Sequence, residues 1–203
     1  LRASKAVRME PVYRITVHHT AMMAEPMSES SAAAQMRRIQ RAHLERGWAD
    51  IGYHYVIDPN GRIWAARSLR YQGAHAGNHQ LNRGNIGVSL MGNFSRQPVW
   101  PRQKQSLGDL LGMLSRRHRV KDHGICGHCK LKNTECPGHH LRRDLPAIVA
   151  GMDRARAPVG RTHLVVRGET LSQIARRYGI TLGSLKAVNP NRGDQLEPGD
   201  RIA

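Results

Sequence analysis

Strand-like and helix-like stretches alternate along the first three quarters of the chain, and this alternation restricts the possible folds more than any single motif does. Residues 12–18 (VYRITVH) alternate apolar and polar side chains and include β-branched residues, which predicts a strand ending at His18. Residues 30–46 are rich in helix formers. Met36, Ile39, His43 and Leu44 recur there at helical spacing, and Gly47 stops the run. Residues 51–66 read as a hairpin that turns at Asp58-Pro59-Asn60-Gly61. Residues 85–93 (NIGVSLMGN) predict a further strand with the continuous apolar character of a buried one. Residues 101–118 predict a helix with Pro101 in its first turn, and 141–151 a last helix. The pattern implies an α/β domain with a mixed sheet flanked by helices. A stretch with Pro, Gly and no periodicity follows, so we expect a domain at 1–151, a linker at 152–161 and a small unit at 162–203.

Charge narrows the partners. There are 32 Lys and Arg against 15 Asp and Glu, a net +17, which draws a protein to polyanions such as nucleic acid, anionic lipid or acidic wall polymer. The cations are scattered in short groups (Arg37-Arg38, Arg116-Arg117, Arg142-Arg143) that read first as solvated surface. Aromatic residues are only 4% of the chain, which argues against a nucleic-acid binder that stacks bases. No apolar run approaches membrane-spanning length, so no membrane span is expected. The opening LRASKAVRMEP has no apolar stretch, and a chain starting at Leu1 is expected to have lost any leader. No feature marks an oligomer interface.

The segment GHCKLKNTECPGHH (127–140) concentrates the metal-binding residue types. His128 and Cys136 stand eight apart, and imidazole and thiolate are preferred zinc ligands. His18, at a strand end, is the natural third ligand. Two His and one Cys would leave a fourth tetrahedral position open, as in a catalytic zinc site. The same segment supports other readings. Cys126, Cys129, Cys136 and His139 could close a structural four-ligand site of a nucleic-acid-binding knuckle. Alternatively, Cys126 and Cys129 could form a disulfide in an oxidising compartment.

Six ordered blocks decide among these. They run from VHHTA through QMRRIQRAHLERGWADIGYHYVIDPNGRIW, GAHAG and NIGVSLMGNF to HC and TECPG. The stretch from about Tyr13 to Gly138 resembles the zinc amidases of the peptidoglycan-recognition-protein and phage amidase-lysozyme family. The resemblance implies a mixed sheet flanked by helices, with Zn2+ at the strand ends on His18, His128 and Cys136. It gives His19 a packing role. Tyr53 would stabilise the oxyanion, and Thr134 would face the scissile carbonyl. His75 is the first candidate to protonate the leaving amine, while His43, His54, His79 and His118 are expected to be core or surface histidines. The chain departs from many relatives at Cys129 and Lys130, where they carry Arg and Asp. Thr134 in place of Lys removes an ammonium, leaving more of the oxyanion stabilisation to zinc and Tyr53.

The C-terminal unit carries HLVVRGETLSQIARRYGI, then LKAVNPN, then LEPGDRI, and resembles the βααβ LysM module. That resemblance implies binding of N-acetylglucosamine-containing glycan around Gly168, Glu169, Thr170, Leu171, Asn189 and Pro190. Together the two resemblances imply cleavage of the N-acetylmuramoyl-L-alanine amide of peptidoglycan by a wall-anchored enzyme. Its place would be secreted, periplasmic or wall-associated, as for a phage lysin or a bacterial wall enzyme. The alternative is a protein that binds or senses peptidoglycan without cutting it.

Overall fold

In chain order the elements are β1 (Arg14–His19), α1 (Glu29–Glu45), β2 (Tyr55–Ile57), β3 (Ile63–Ala65), α2 (His79–Asn82), β4 (Asn85–Leu90), α3 (Pro101–His118), β5 (Ile125–Gly127), α4 (His139–Ala150), β6 (His163–Leu164), α5 (Leu171–Tyr178) and β7 (Arg201–Ile202). They belong to a computed structural model that describes residues 6–152, 163–166, 168–178, 182, 185, 189, 196–197 and 200–202. Two compact units emerge, Leu1–Ala155 and Arg156–Ala203. The expected linker at 152–161 lies outside the described residues except for Met152. Among those described, no helix is long and apolar enough to cross a membrane.

Five strands form the sheet of the first unit in the order β3-β2-β4-β1-β5. β1 runs parallel to β4 and β5, and β2 runs parallel to β4. β3 returns antiparallel beside β2, so the sheet is mixed as expected. The hairpin between β2 and β3 is held by Asp58. Its buried carboxylate accepts from the backbone N–H groups of Asn60 and Arg62, from Arg62 Nε and from Trp64 Nε1 at 3.0 Å. The turn falls where the sequence predicts one, and the Asp58 side chain closes it in the manner of an Asx turn.

Side chains alternate across the sheet, and the two faces differ in chemistry. Ile15 and Val17 of β1, with Ile86, Val88 and Leu90 of β4, face a core filled by Leu107, Leu110, Leu111 and Leu114 of α3 and by Leu141 and Leu145 of α4. A second cluster joins Val56 of β2 to Met36 and Ile39 of α1, the helix positions that the spacing marks as inward-facing. The strand at 85–90 therefore differs from its expected uniform apolar character. Asn85, Gly87 and Ser89 alternate with its three aliphatic residues, and all six are buried. Its non-aliphatic residues share a face with Thr16 and His18, so this side of the sheet is a buried polar layer. Thr16 donates to Asn85 Oδ1 at 2.9 Å within it.

His54 illustrates what burial in that layer does. Its Nδ1 accepts from Gly87 N at 2.9 Å, and its Nε2 donates to Tyr71 O at 3.0 Å. With 1% of its surface exposed, burial lowers its pKa from 6.5 to about 4. The unfolded chain thus takes up a proton between those values and the folded chain does not. Stability is full above about pH 6.5 and falls as the pH drops toward 4. The contribution of His54 to that fall is on the order of 3 kcal/mol. Urea unfolding at pH 7, 5.5 and 4.5 should show the decline, and His54→Gln should flatten it by roughly one proton. An identical slope in the variant would remove His54 from this account.

Candidate metal centre and groove

The sheet register brings two of the expected ligands together. Val17 pairs with Gly127, so the next residues along the two parallel strands, His18 and His128, lie side by side at their carboxyl ends. Their ring centroids are 4.6 Å apart. Cys136 reaches the same point from the loop after β5, with its Sγ 3.6 Å from His18 Nδ1. One ligand atom from each of His18, His128 and Cys136 lies within 4.8 Å of the other two. These three are the only such metal-capable group found among the described residues, so Cys126, Cys129, Cys136 and His139 do not form the alternative four-ligand cluster. Cys126 and Cys129 are free thiols. Cys129 instead helps to shape the loop, its backbone N–H donating to Cys136 O at 2.8 Å.

Pleating also separates His18 from His19. His18 projects into the polar layer, whereas His19 shares the side of Ile15 and Val17, where its Nδ1 accepts from Phe94 N at 3.2 Å. The packing role expected for His19 agrees with this, and its backbone N–H is directed at the Cys136 thiol.

The three donors suit a metal chemically. Burial, then the nearby His75 and His128, hold His18 well below the usual imidazole range, so it presents a neutral lone pair. Burial likewise lowers His128, whose Nε2 is buried with no hydrogen-bond partner. Burial pushes the Cys136 thiol up to about 12, offset in part by the His19 backbone. A neutral imidazole with an orphaned nitrogen, grouped with a thiol and a second neutral imidazole, is the donor set of a metal site with a remaining open position.

These residues lie along a groove of about 1000 Å³ that also includes Tyr53, Thr134 and His75. The Tyr53 ring centroid stands 5.2 Å from that of His18. Burial and then the neighbouring Cys136 push its phenol up to about 12, so it remains a donor throughout the neutral range. Thr134 Oγ1 accepts from Cys136 N at 3.2 Å, which leaves the hydroxyl proton to point elsewhere. His75, the first candidate for proton donor, lies in the groove beside His18. Its Nδ1 lies 3.0 Å from His18 Nε2 and its Nε2 lies 3.1 Å from Asn85 O. Both nitrogens are engaged, and burial lowers the ring to about 3, so it is neutral and its one N–H proton is directed at the Asn85 carbonyl.

Sequence reasoning passed over Arg67. This buried guanidinium donates to the carbonyls of Ile51, Gln72 and Asp50, tying together the segments before Tyr53 and before His75. A single Arg between two loops carries no spacing signal. Arg46, Arg96 and Lys132, with Glu135 as their counterpoint, also line the groove, and nothing in their spacing along the chain marks them.

In the second unit, the glycan-site expectation meets several side chains with structural tasks. Leu171 is buried among Val165, Ile174, Ala175, Leu185 and Ile202. Glu169 accepts from His163, from Val166 N and from Arg177. Thr170 caps α5, its backbone N–H donating to Gln173 Oε1 at 2.9 Å and its Oγ1 accepting from Gln173 N at 3.3 Å. Asn189 donates to Leu185 O at 2.8 Å. Gly168 is exposed in a left-handed turn (φ 87°), and Pro190 lies outside the described residues.

Comparison with known proteins follows this division. The family described as N-acetylmuramoyl-L-alanine amidase matches residues 8–139, and the LysM domain matches residues 163–203. A peptidoglycan-recognition protein of Drosophila simulans is 32% identical over 138 residues, covering 68% of this chain and 74% of that protein. The N-acetylmuramoyl-L-alanine amidase of Sus scrofa is 33% identical over 135 residues, 64% of this chain but only 22% of the pig protein. Among solved structures, the amidase LysC from Clostridium intestinale aligns with a TM-score of 0.58 at 29% identity, covering 69% of this chain and 84% of that one.

Metal analysis after equilibrium dialysis against Zn2+ tests the cluster. The chain should retain a stoichiometric ion. His18→Ala, His128→Ala and Cys136→Ala should each lose it, while Cys126→Ala and Cys129→Ala keep it. Loss on removing Cys126 with retention on removing His18 would reverse the assignment.

Proposed function

Because the chain belongs to the N-acetylmuramoyl-L-alanine amidase family and carries a LysM domain, we propose that it hydrolyses the amide between N-acetylmuramic acid and L-alanine in peptidoglycan, using Zn2+ held by His18, His128 and Cys136. The observation that carries the reading is the convergence of those three donors within 4.8 Å along an open groove. Zinc in such a site polarises a carbonyl and makes water nucleophilic near neutral pH.

The chain's own residues supply the rest. As the amide carbon becomes tetrahedral, negative charge gathers on its oxygen, and a preoriented donor stabilises that charge more than it stabilises the flat amide. Tyr53 is such a donor, since its phenol stays protonated beside the cluster. Thr134 keeps a hydroxyl proton for the same oxygen while its own oxygen holds the Cys136 loop. Arg46, Arg96 and Lys132 in the groove suit the carboxylates of an acidic stem peptide.

The second unit acts as an anchor. Bound to N-acetylglucosamine-containing glycan, and joined through a linker at 152–161, it raises the effective concentration of the first unit at the wall without altering the chemistry. The 1–151 and 162–203 units then divide cleavage from attachment. A net charge of +17 favours an anionic wall, and the site of action is secreted, periplasmic or wall-associated. A second reading, recognition without cutting, draws support from relatives named for peptidoglycan recognition. The complete ligand set together with Tyr53 favours cleavage.

Digestion of purified peptidoglycan, with mass spectrometry of the products, separates the two readings. Wild type should release stems with new L-alanine amino termini, and Cys136→Ala should release none. Tyr53→Phe should keep its metal and lose kcat on the order of 100-fold. A zinc-loaded wild type that sediments with the wall yet releases nothing would establish the recognition reading instead.

A further inference from the structure

We propose that His75 is a positioning residue that sets the tautomer of His18, so that His18 meets the metal through Nδ1. This rests on the reading that His18, His128 and Cys136 hold the ion. A backbone carbonyl can only accept a hydrogen bond, so the 3.1 Å contact between Asn85 O and His75 Nε2 places a proton on Nε2. In the neutral ring Nδ1 is then an acceptor. His18 Nε2, 3.0 Å away, must donate to it, which leaves the lone pair of His18 on Nδ1. Nδ1 is the nitrogen that faces Cys136 Sγ at 3.6 Å. One carbonyl in β4 therefore selects, through two rings, the nitrogen offered to the metal.

The surroundings are built for the relay. A Cβ on Gly87 would stand 2.5 Å from His75 Cδ2, and one on Gly73 would stand 2.5 Å from the same atom, so only glycine at both positions leaves room for this ring. Asn82 Oδ1 accepts from His75 N and Ala76 N, each at 2.9 Å, and fixes the backbone that carries the ring. The next residue serves the other imidazole, because the Ala76 backbone is hydrogen-bonded to His128. The GAHAG loop thus orients both histidines of the cluster, one by a side chain and one by the backbone. Partners of this kind raise ligand basicity and fix ring orientation, and their removal typically lowers metal affinity about 10- to 100-fold.

The tautomer is readable without any metal. Long-range 1H–15N correlation spectra of the metal-free wild type should show His18 protonated at Nε2 and bare at Nδ1. A His18 protonated at Nδ1 would overturn the proposal outright. In His75→Ala that preference should fade, and Zn2+ affinity measured by chelator competition should fall about 10- to 100-fold. His75→Gln, which retains both an acceptor and a donor, should recover most of the loss. His54→Gln controls for disturbance of the polar layer, since His54 lies beside His75 with ring centroids 5.9 Å apart but bonds to Gly87 and Tyr71 instead; it should keep wild-type affinity. Wild-type affinity in His75→Ala would also overturn the role. A wild type that binds zinc but cuts nothing, with the tautomer and affinity shifts intact, would support this inference while removing the amidase reading.

Discussion

The two-residue period of β1 is the constraint on which the rest depends. It sends Ile15 and Val17 into the leucine-rich core under α3 and α4, and it sends Thr16 and His18 to the opposite face. Burying the aliphatic pair sets the register of the strand, since a slip of one residue would move both into the polar layer and turn Thr16 and His18 into the leucine core. Once that register holds, His18 has nowhere to point except the polar layer. The parallel pairing of Val17 with Gly127 then places His128 beside it. The cluster is thus a consequence of core packing on the other side of the sheet, and ligands in open α/β sheets commonly sit beyond strand carboxyl ends for the same geometric reason.

A buried polar layer is costly unless each group finds a partner, and here histidine supplies much of the pairing. His54 accepts from Gly87 N, His43 accepts from Gly52 N at 3.0 Å, and His75 spans Asn85 and His18. In each case burial is the leading cause that holds the ring neutral, which is the form able to donate and accept at once. His128 Nε2 is left without a hydrogen-bond partner, on a ring that belongs to the cluster with His18 and Cys136. The same burial that protects the tautomers leaves Cys136 protonated in the metal-free chain, so metal entry must expel that proton.

The second unit achieves order by different means. Among its described residues the core is a small cluster, and polar bonds assist it: Glu169 gathers His163, Arg177 and the Val166 backbone, while Thr170 and Gln173 cap α5 reciprocally. Residues that make a short module recognisable are largely those that hold it together. Leu171 and Glu169, both expected near a glycan, also have structural tasks here, one in the core and one in a hydrogen-bonded cluster.

Much was legible from one dimension. The turn at Asp58, the helix beginning at Pro101, the mixed sheet, and the trio His18, His128 and Cys136 all follow from local chemistry or from ordered motif blocks that survive without coordinates. What the sequence could not decide were the side-chain roles created by contacts between distant segments. His75 lies 57 positions from His18, and its ring nitrogens become a relay only when β4 lies beside β1 and brings Asn85 O to it. Gly87 passes as one more residue of a continuous buried strand until the fold packs an imidazole against it. Arg67 binds three carbonyls from two loops that only the tertiary structure makes neighbours. Spacing along a chain encodes which face a residue takes, whereas the partner it meets there depends on how separate segments pack.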